Sequence, residues 1–135
     1  MMDVTSFEPM MKELFPGTLG MRLVEASPER VRARLRVERR LCTVPGILHG
    51  GAIMAFADTL GAVATMLNVP EGANTTTIES KTNFFSPGRE GTEIEAETTP
   101  LHRGRRTMVW QTRVTSLDGK LLALVIQTQA VLTAI

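Results

Sequence analysis

The feature that most constrains the fold is a helix-compatible run from Ala52 to Leu67 that is apolar around most of its circumference. A helix without a wide polar side must be covered by other parts of the protein. Pro70 and Gly72, within the segment from Asn68 to Asn74, end this run. One strongly curved sheet folded about a single helix would provide the cover, and the rest of the sequence predicts such a sheet.

Alternating apolar and polar side chains predict strands on both sides of this helix. The plainest strand places valine, alanine and leucine on one face and arginine on the other, at Val31, Ala33, Leu35 and Val37 against Arg30, Arg32, Arg34 and Arg36. We interpret the arginine row as a face in water and expect no nucleic-acid binding, because aromatic residues are only 4% of the chain and none is interleaved there. The other predicted strands are Thr18 to Ala26, Thr75 to Phe85, Thr92 to Thr99, Thr107 to Thr115 and Lys120 to Leu132.

The remaining segments complete an α+β fold in which a curved antiparallel β-sheet is wrapped around one long central helix. Phe7 to Leu14 is predicted as a short packing or lid helix that Pro16-Gly17 stops, and Leu41 to Leu48 as a loop. We expect the strands after the central helix to form an antiparallel meander. Exposed edge strands predict a homodimer that joins two sheets, and a second pairing would give a homotetramer.

Composition narrows the classes of function. The 135 residues, 43% hydrophobic, predict one domain over residues 1–135. Fifteen basic against fourteen acidic residues give a net charge of +1, which does not favour a general polyanion binder. Cys42 is the only cysteine, so no intrachain disulfide or cysteine-rich metal site can form. We expect a cytoplasmic protein without a metal, a targeting segment or a membrane span.

Asp58 interrupts the apolar helix, and an ionised carboxylate there is costly unless it is paired or faces a cavity. One explanation is structural: the carboxylate bonds a nearby loop or emerges into solvent. The other is functional, and His49-Gly50-Gly51 just before the helix favours it. Two glycines expose backbone N–H groups at the positive end of the helix dipole, where a carbonyl oxygen can be polarised. Close packing of the helix end is the structural alternative for these glycines.

Together these residues resemble a known pattern. It consists of Pro45 to Gly51, then Ala57-Asp58-Thr59 nine residues beyond the histidine, then Asn83 to Pro87. The pattern is similar to the phenylacetate-pathway (PaaI-like) branch of the hotdog thioesterase superfamily, and the likeness extends from Thr18 to Leu132. It implies the hotdog fold and hydrolysis of acyl-CoA thioesters at a subunit interface, with no cofactor beyond the coenzyme A of the substrate.

The resemblance also implies roles for individual residues. Gly50 of one chain would offer its N–H to the thioester carbonyl, and Asp58 of the partner chain would act as general base or nucleophile. His49 would hold the loop or the leaving sulfur, and Thr77 would orient the attacking water. Thr43 stands where close members often carry Asn, so the water geometry is expected to differ here.

Several residues are candidates for substrate binding. Coenzyme A carries phosphates that need basic partners, and the densest basic turn contains Arg103, Arg105 and Arg106. A solvated hairpin tip explains this turn equally well. Ser86, Arg89 and Gly51 complete the predicted binding set.

Two other functions stay open from the sequence: a hotdog enoyl-CoA hydratase or dehydratase, and a non-catalytic acyl-CoA binder. The absence of a hydratase-type Asp-to-His loop speaks against the first, and Asp58 against the second. The preferred acyl group is not predicted, because Met54, Phe56, Met66, Phe84 and Phe85 would fill a core as well as they would line a cavity.

Overall fold

The computed structural model describes residues 2–133. The helices are α1 (Val4–Met11), α2 (Phe15–Leu19) and α3 (Gly50–Met66), and a short 3₁₀ turn spans Arg39–Leu41. The strands are β1 (Arg22–Ser27), β2 (Arg30–Arg36), β3 (Cys42–Thr43), β4 (Ile47–Leu48), β5 (Asn74–Phe84), β6 (Glu93–Arg103), β7 (Thr107–Ser116) and β8 (Leu121–Leu132). None of the helices in this part of the chain is long and apolar enough to cross a membrane.

A six-stranded antiparallel sheet, in the order β1-β2-β6-β7-β8-β5, packs one face against α3. The inward positions of β2 that the alternation predicted, Val31, Ala33 and Leu35, are fully buried. Trp110 on β7 is also fully buried, and its Nε1 donates to Thr65 Oγ1 of α3 (2.8 Å). Because this indole needs a partner once it is buried, the bond fixes the helix on the sheet. The predicted sheet around one central helix is confirmed.

The outer face of β1, β2 and β6 carries the row of arginines, and Arg30, Arg32 and Arg34 are paired there with glutamates. Cross-strand register sets arginines of β2 opposite glutamates of β6, for example Arg34 opposite Glu95. Arg32 bridges Glu25 of β1 (3.2 Å) and Glu95 of β6 (3.0 Å). We call this surface the charged face; it comprises Arg22, Arg30, Arg32, Arg34, Glu25, Glu93, Glu95 and Glu97. Its charges are therefore balanced within the chain.

The first helical segment differs from the prediction. α1 ends at Met11, and α2 begins at Phe15 with Pro16 and Gly17 inside it. Proline lacks only an N–H that a first helical turn leaves unused, so Pro16 starts α2 rather than stopping a helix. Consequently the predicted strand from Thr18 also begins later, at Arg22. The loop predicted over residues 41–48 contains the two-residue pair β3–β4, whose turn holds a cis Val44–Pro45 bond.

The meander prediction is right for β6, β7 and β8 and wrong for β5. After β5, the segment over residues 85–92 carries the chain to the far side of the sheet, where Val37 N donates to Thr92 O. β5 instead pairs with β8, with Thr77 opposite Gln129 and a bulge at Ile78. β5 therefore forms an edge of the sheet, 11 residues long.

Candidate active site

One stripe of α3 stays open at the β5 edge. We call it the open stripe; it consists of Gly51, Met54, Ala55, Asp58 and Ala62, which are exposed or half-buried and lie on one side of the helix, since positions three or four residues apart share a face. The opposite side of the helix, including Phe56 and Leu60, is fully buried. The helix is apolar around most of its circumference and was expected to be covered by protein, but the sheet of one chain covers α3 only in part.

Asp58 lies half-buried on this stripe and contacts β5 and β8. Its Oδ1 is 2.6 Å from the hydroxyl oxygen of Thr77, and Gln127 Nε2 lies 3.4 Å from the same oxygen. Both neighbours are hydrogen-bond donors, and the carboxylate oxygen accepts from them. The carboxyl group thus neither points into bulk water nor is sealed in the core, and the structure brings Asp58 and Thr77 together as the resemblance implied.

Gln127 and Gln129 are contacts that the sequence analysis missed. Both glutamines are almost completely buried on the inner face of β8. The signal was present, because every second residue of this strand points inward and the phase set by Ala123 and Val125 continues to positions 127 and 129. Two amides in a core-facing phase indicate a buried polar partner, which here is Asp58 and Thr77.

The N-terminus of α3 is arranged around His49. His49 is the N-cap, and its Nδ1 accepts a hydrogen bond from the Gly51 N–H (2.8 Å). A ring nitrogen that accepts carries no proton, so Nε2 holds the proton of the neutral ring. The Gly51 N–H is therefore used within the chain, while the Gly50 N–H has no acceptor among residues 2–133. The phenyl ring of Phe84 lies so close that a Cβ on Gly50 would be 3.1 Å from its Cζ, which explains a glycine here.

Within one chain, Asp58 and Gly50 are too far apart to act on one bond. They are eight residues apart on α3. A rise of 1.5 Å per residue separates them by about 12 Å along the axis. Thr43 is exposed in the β3–β4 hairpin that precedes the helix. One chain therefore presents a donor end and a carboxylate end, each on the open side of α3.

The basic candidates lie at opposite ends of the sheet. Arg103 donates to the backbone oxygen of Pro28 (3.1 Å) and to Asn68 Oδ1 (3.3 Å), so it ties the hairpin to the C-terminal end of α3. Arg105 is exposed beside it, and the two line a cavity of about 480 Å³. Arg106 is exposed in the same turn.

Ser86 and Arg89 are found at the other end, near the start of α3. The backbone N–H of Ser86 donates to Leu122 O, and that of Leu48 to Gly88 O. Arg89 is exposed and lines a second cavity of about 500 Å³ together with Lys120. The two basic groups are thus not neighbours within one chain.

Comparison with known proteins supplies the family. The model of the thioesterase superfamily matches residues 45–123. Over 105 residues the chain is 30% identical to a 1,4-dihydroxy-2-naphthoyl-CoA hydrolase of Escherichia coli, covering 78% of this chain and 76% of that enzyme. The crystal structure of a thioesterase from Haemophilus influenzae superposes with a TM-score of 0.93 at 26% identity, covering 98% of this chain and 92% of that one.

Two structures of lower identity share the fold. One is the PaaI protein from the phenylacetic acid degradation operon of Escherichia coli (TM-score 0.82, 20% identity, 93% of this chain and 90% of that one). The other is a Streptococcus mutans protein bound to acetyl-CoA (TM-score 0.78, 22% identity, 84% and 89%). Fold and family together define a hotdog enzyme that hydrolyses thioesters. The chain belongs to the thioesterase superfamily, as its motifs predicted.

Proposed function

We propose that this protein hydrolyses acyl-CoA thioesters at an interface between two copies of the chain, with Asp58 as the catalytic carboxylate. The observation that carries the proposal is the position of Asp58: half-buried on the open stripe and in contact with Thr77. The name of the 30%-identical hydrolase and the acetyl-CoA bound to the Streptococcus mutans protein support a coenzyme A thioester as the substrate.

Two chains are needed because the donor end and the carboxylate end of one helix are about 12 Å apart. The edge of β5 offers the surface for joining them. It is long, and Ile78 and Phe85 beside it are 62% and 57% exposed. A sheet edge of this kind invites pairing with another strand. A two-fold axis through β5 would set Gly50 of one chain opposite Asp58 of its partner. Pairing of two such dimers into a homotetramer is part of the proposal.

The proposed reaction uses each group once. The free N–H of Gly50 polarises the thioester carbonyl and stabilises the oxyanion of the tetrahedral intermediate. Asp58 takes a proton from the attacking water, whose oxygen bonds to the carbonyl carbon, and Thr77 holds the carboxylate and the water. The C–S bond then breaks, and the thiolate of coenzyme A leaves with a hydrogen bond from His49 Nε2–H. Solvent supplies the proton of the free thiol and takes up the proton that Asp58 removed from the water. Direct attack by Asp58 is the alternative course for the same residue.

The coenzyme A tail needs cations for its phosphates. Arg105 and Arg106 are the better candidates, because the Arg103 guanidinium already donates hydrogen bonds to Pro28 and Asn68. Ser86 and Arg89 flank the donor end of α3, and a two-fold axis would bring this end towards the basic turn of the partner. No cofactor is proposed, and the proposed location is the cytoplasm.

Mixed dimers of two inactive variants test the shared site. Asp58→Asn removes the base, and Gly50→Pro removes the N–H at the first position of α3, where the helix backbone accepts proline although the ring of Phe84 must shift to make room. His49 already has the extended backbone that a residue before proline prefers (φ −62°, ψ 136°). If each site uses Gly50 of one chain and Asp58 of the other, an equimolar co-refolded mixture regains about a quarter of wild-type activity. No recovery in dimers shown to be mixed would contradict the shared site.

Measuring thiol release and hydration side by side separates hydrolysis from the two alternative functions, hydratase and non-catalytic binder. A saturated acyl-CoA and crotonyl-CoA are supplied in parallel, and free thiol and hydration are measured for both. We expect thiol release from both substrates. Hydration of crotonyl-CoA without thiol release from the saturated substrate would identify a hydratase, and tight binding without turnover an acyl-CoA binder.

A further inference from the structure

Two buried amides on β8 lie directly behind the carboxylate, although the strand is otherwise apolar on its inner face. Gln127 is 1% exposed and Gln129 is fully buried. A buried amide is costly unless all its polar atoms are paired. These two glutamines connect to Thr75 and Thr77 of β5 and to Asp58 of α3, so they join three elements at one point.

The hydrogen bonds of this group run in one direction. The Thr75 hydroxyl donates its single proton to Ala130 O (2.8 Å), so its oxygen must accept from Gln129 Nε2 (3.0 Å). That bond turns Gln129 Oε1 towards Gln127, whose Nε2 donates to it (3.1 Å). The same Nε2 group then faces Asp58 Oδ1 (3.4 Å). A fixed backbone carbonyl thus determines, link by link, that a donor faces the carboxylate.

Thr77 completes the arrangement. Its oxygen lies 2.6 Å from both Asp58 Oδ1 and Gln129 Oε1, yet the hydroxyl has one proton to donate. Gln129 Oε1 already accepts from Gln127, while a charged carboxylate is the stronger acceptor. The Thr77 proton is therefore directed to Asp58 as long as Gln127 satisfies Gln129.

This orientation has a structural cost. Gln127 Oε1, turned away from Asp58, is buried without a partner among residues 2–133. Gly61 gives the amide its space, because a Cβ there would lie 2.2 Å from Gln127 Nε2. An apolar side chain would fill the position without an orphaned acceptor. The amide is explained if its donor group serves Asp58.

We propose that Gln127, oriented by Gln129, is a positioning residue that holds Asp58 and Thr77 in the geometry for attack on the thioester. The inference rests on the proposed function of Asp58. It concerns residues that touch the carboxylate and not the substrate. It predicts an effect on turnover and none on substrate binding.

The test uses Gln127→Met, which keeps the length of the side chain and removes the amide. The control is Thr112→Val, which removes a buried hydroxyl of β7 that bonds Thr98 (2.7 Å). We expect Gln127→Met to lower kcat about tenfold with KM changed by less than about twofold, and Thr112→Val to leave both unchanged. Gln129→Met, one link further away, should lower kcat by a smaller factor. Should Gln127→Met fail to fold, Gln127→Leu, which also lacks the amide and adds no charge beside Asp58, carries the same prediction.

A double-mutant cycle separates positioning from a structural role. In the Asp58→Asn background we expect Gln127→Met to change the remaining turnover by less than about twofold. A folded Gln127→Met with wild-type kcat, or the same tenfold loss in both backgrounds, would overturn the proposal while leaving hydrolysis by Asp58 intact.

A spectroscopic measurement tests the contact without activity. The Gln127 side-chain NH₂ signals, identified by their loss in Gln127→Met, should shift in the ¹⁵N NMR spectrum of Asp58→Asn and stay in place in Thr112→Val. If wild type releases no thiol from any acyl-CoA, the proposed function fails, and this spectrum still decides the contact. If the Gln127 NH₂ signals do not shift in Asp58→Asn, the proposed positioning role is wrong.

Discussion

On the charged face of β1, β2 and β6, carboxylates meet arginines of the same chain, with Glu95 held by both Arg32 and Arg34. On the other side of the molecule, Asp58 has no cationic partner within residues 2–133 and lies beside a sheet edge and an open helix stripe. The first group of charges is complete in one chain. Asp58, by contrast, is surrounded by uncharged donors of residues 2–133. The same helix also begins with the N–H of Gly50, which has no acceptor in this part of the chain.

The difference separates a structural use of charge from a functional one. Exposed ion pairs contribute little individually to stability, and on the charged face the opposite charges already satisfy one another. A carboxylate among hydroxyl and amide donors stays available to take a proton from a substrate or a water. Replacing a carboxylate by an amide should therefore act differently at the two places. At Asp58 it should lower activity, and on the charged face it should change the stability of the protein in acid.

The sharpest contrast comes from Asp58→Asn against Glu95→Gln. We expect Asp58→Asn to lower kcat for thiol release at least about a hundredfold, because a general base is lost. Glu95→Gln, with the same change of group on the charged face, should keep its activity. A fully active Asp58→Asn would show that the carboxylate is not catalytic, and an equal loss in both variants would show that the two surfaces do not differ in function.

The donor end of α3 is tested by Gly50→Pro against Gly50→Ala. Both add atoms against Phe84, but only proline removes the N–H. Loss of one oxyanion donor should lower kcat by about a hundredfold in Gly50→Pro, and the difference from Gly50→Ala measures the N–H itself. Equal kcat values for the two variants, with unchanged circular dichroism, would exclude the N–H as a donor.

The edge of β5 is tested by Ile78→Lys. A charge at this edge opposes strand pairing, so we expect light scattering to show that the dimer dissociates. We also expect kcat to fall at least about tenfold, because the donor end of each chain loses the carboxylate end of its partner. Ile126→Lys, on the outer face of neighbouring β8, is the matched control and should keep the dimer and its activity. A monomeric Ile78→Lys that turns over like wild type would place both groups of the site in one chain.

Local signals in the sequence were sufficient for some features and not for others. A single charge inside an apolar helix marks Asp58, and strict alternation marks β2, because both signals lie within a few residues. The place of β5 at the sheet edge was missed, since strand order depends on register across the whole sheet. The start of α2 at Phe15 was missed for another reason: Pro16-Gly17 has the appearance of a helix stop, although proline fits a first turn.

The site shows the same division. His49, Gly50 and Asp58 lie in the sequence pattern that carries the family resemblance, and the resemblance implies a role for Thr77. Gln127 lies 69 residues from Asp58 and reaches it only through the pairing of β8 with β5. The strand phase reveals that its amide is buried, but the partner of that amide appears only in three dimensions.

The smallest effect is expected on the charged face, in acid. Hydrogen bonds from Arg30 lower the pKa of Glu25 against the opposing effect of desolvation, and Arg32 adds to them. Burial raises the pKa of Glu95, but the bonds from Arg32 and Arg34 outweigh it and leave that pKa below its usual value. A carboxyl group whose pKa is lowered by folding stabilises the protein above the pKa of the unfolded chain. That contribution disappears as the pH falls through the folded value.

Wild type should therefore lose thermal stability between about pH 5 and pH 3, where glutamates become protonated. Glu95→Gln should lower Tm at pH 7 by a few degrees, as about 1 kcal/mol or less would, and flatten this acid dependence. Glu13→Gln, an exposed glutamate in the turn between α1 and α2, is the control and should follow the wild-type curve. Thermal melts at fixed protein concentration across this range measure both slopes. Parallel curves for wild type and Glu95→Gln would mean that the ion pairs of the charged face add no stability, and the contrast with Asp58 would then rest on activity alone.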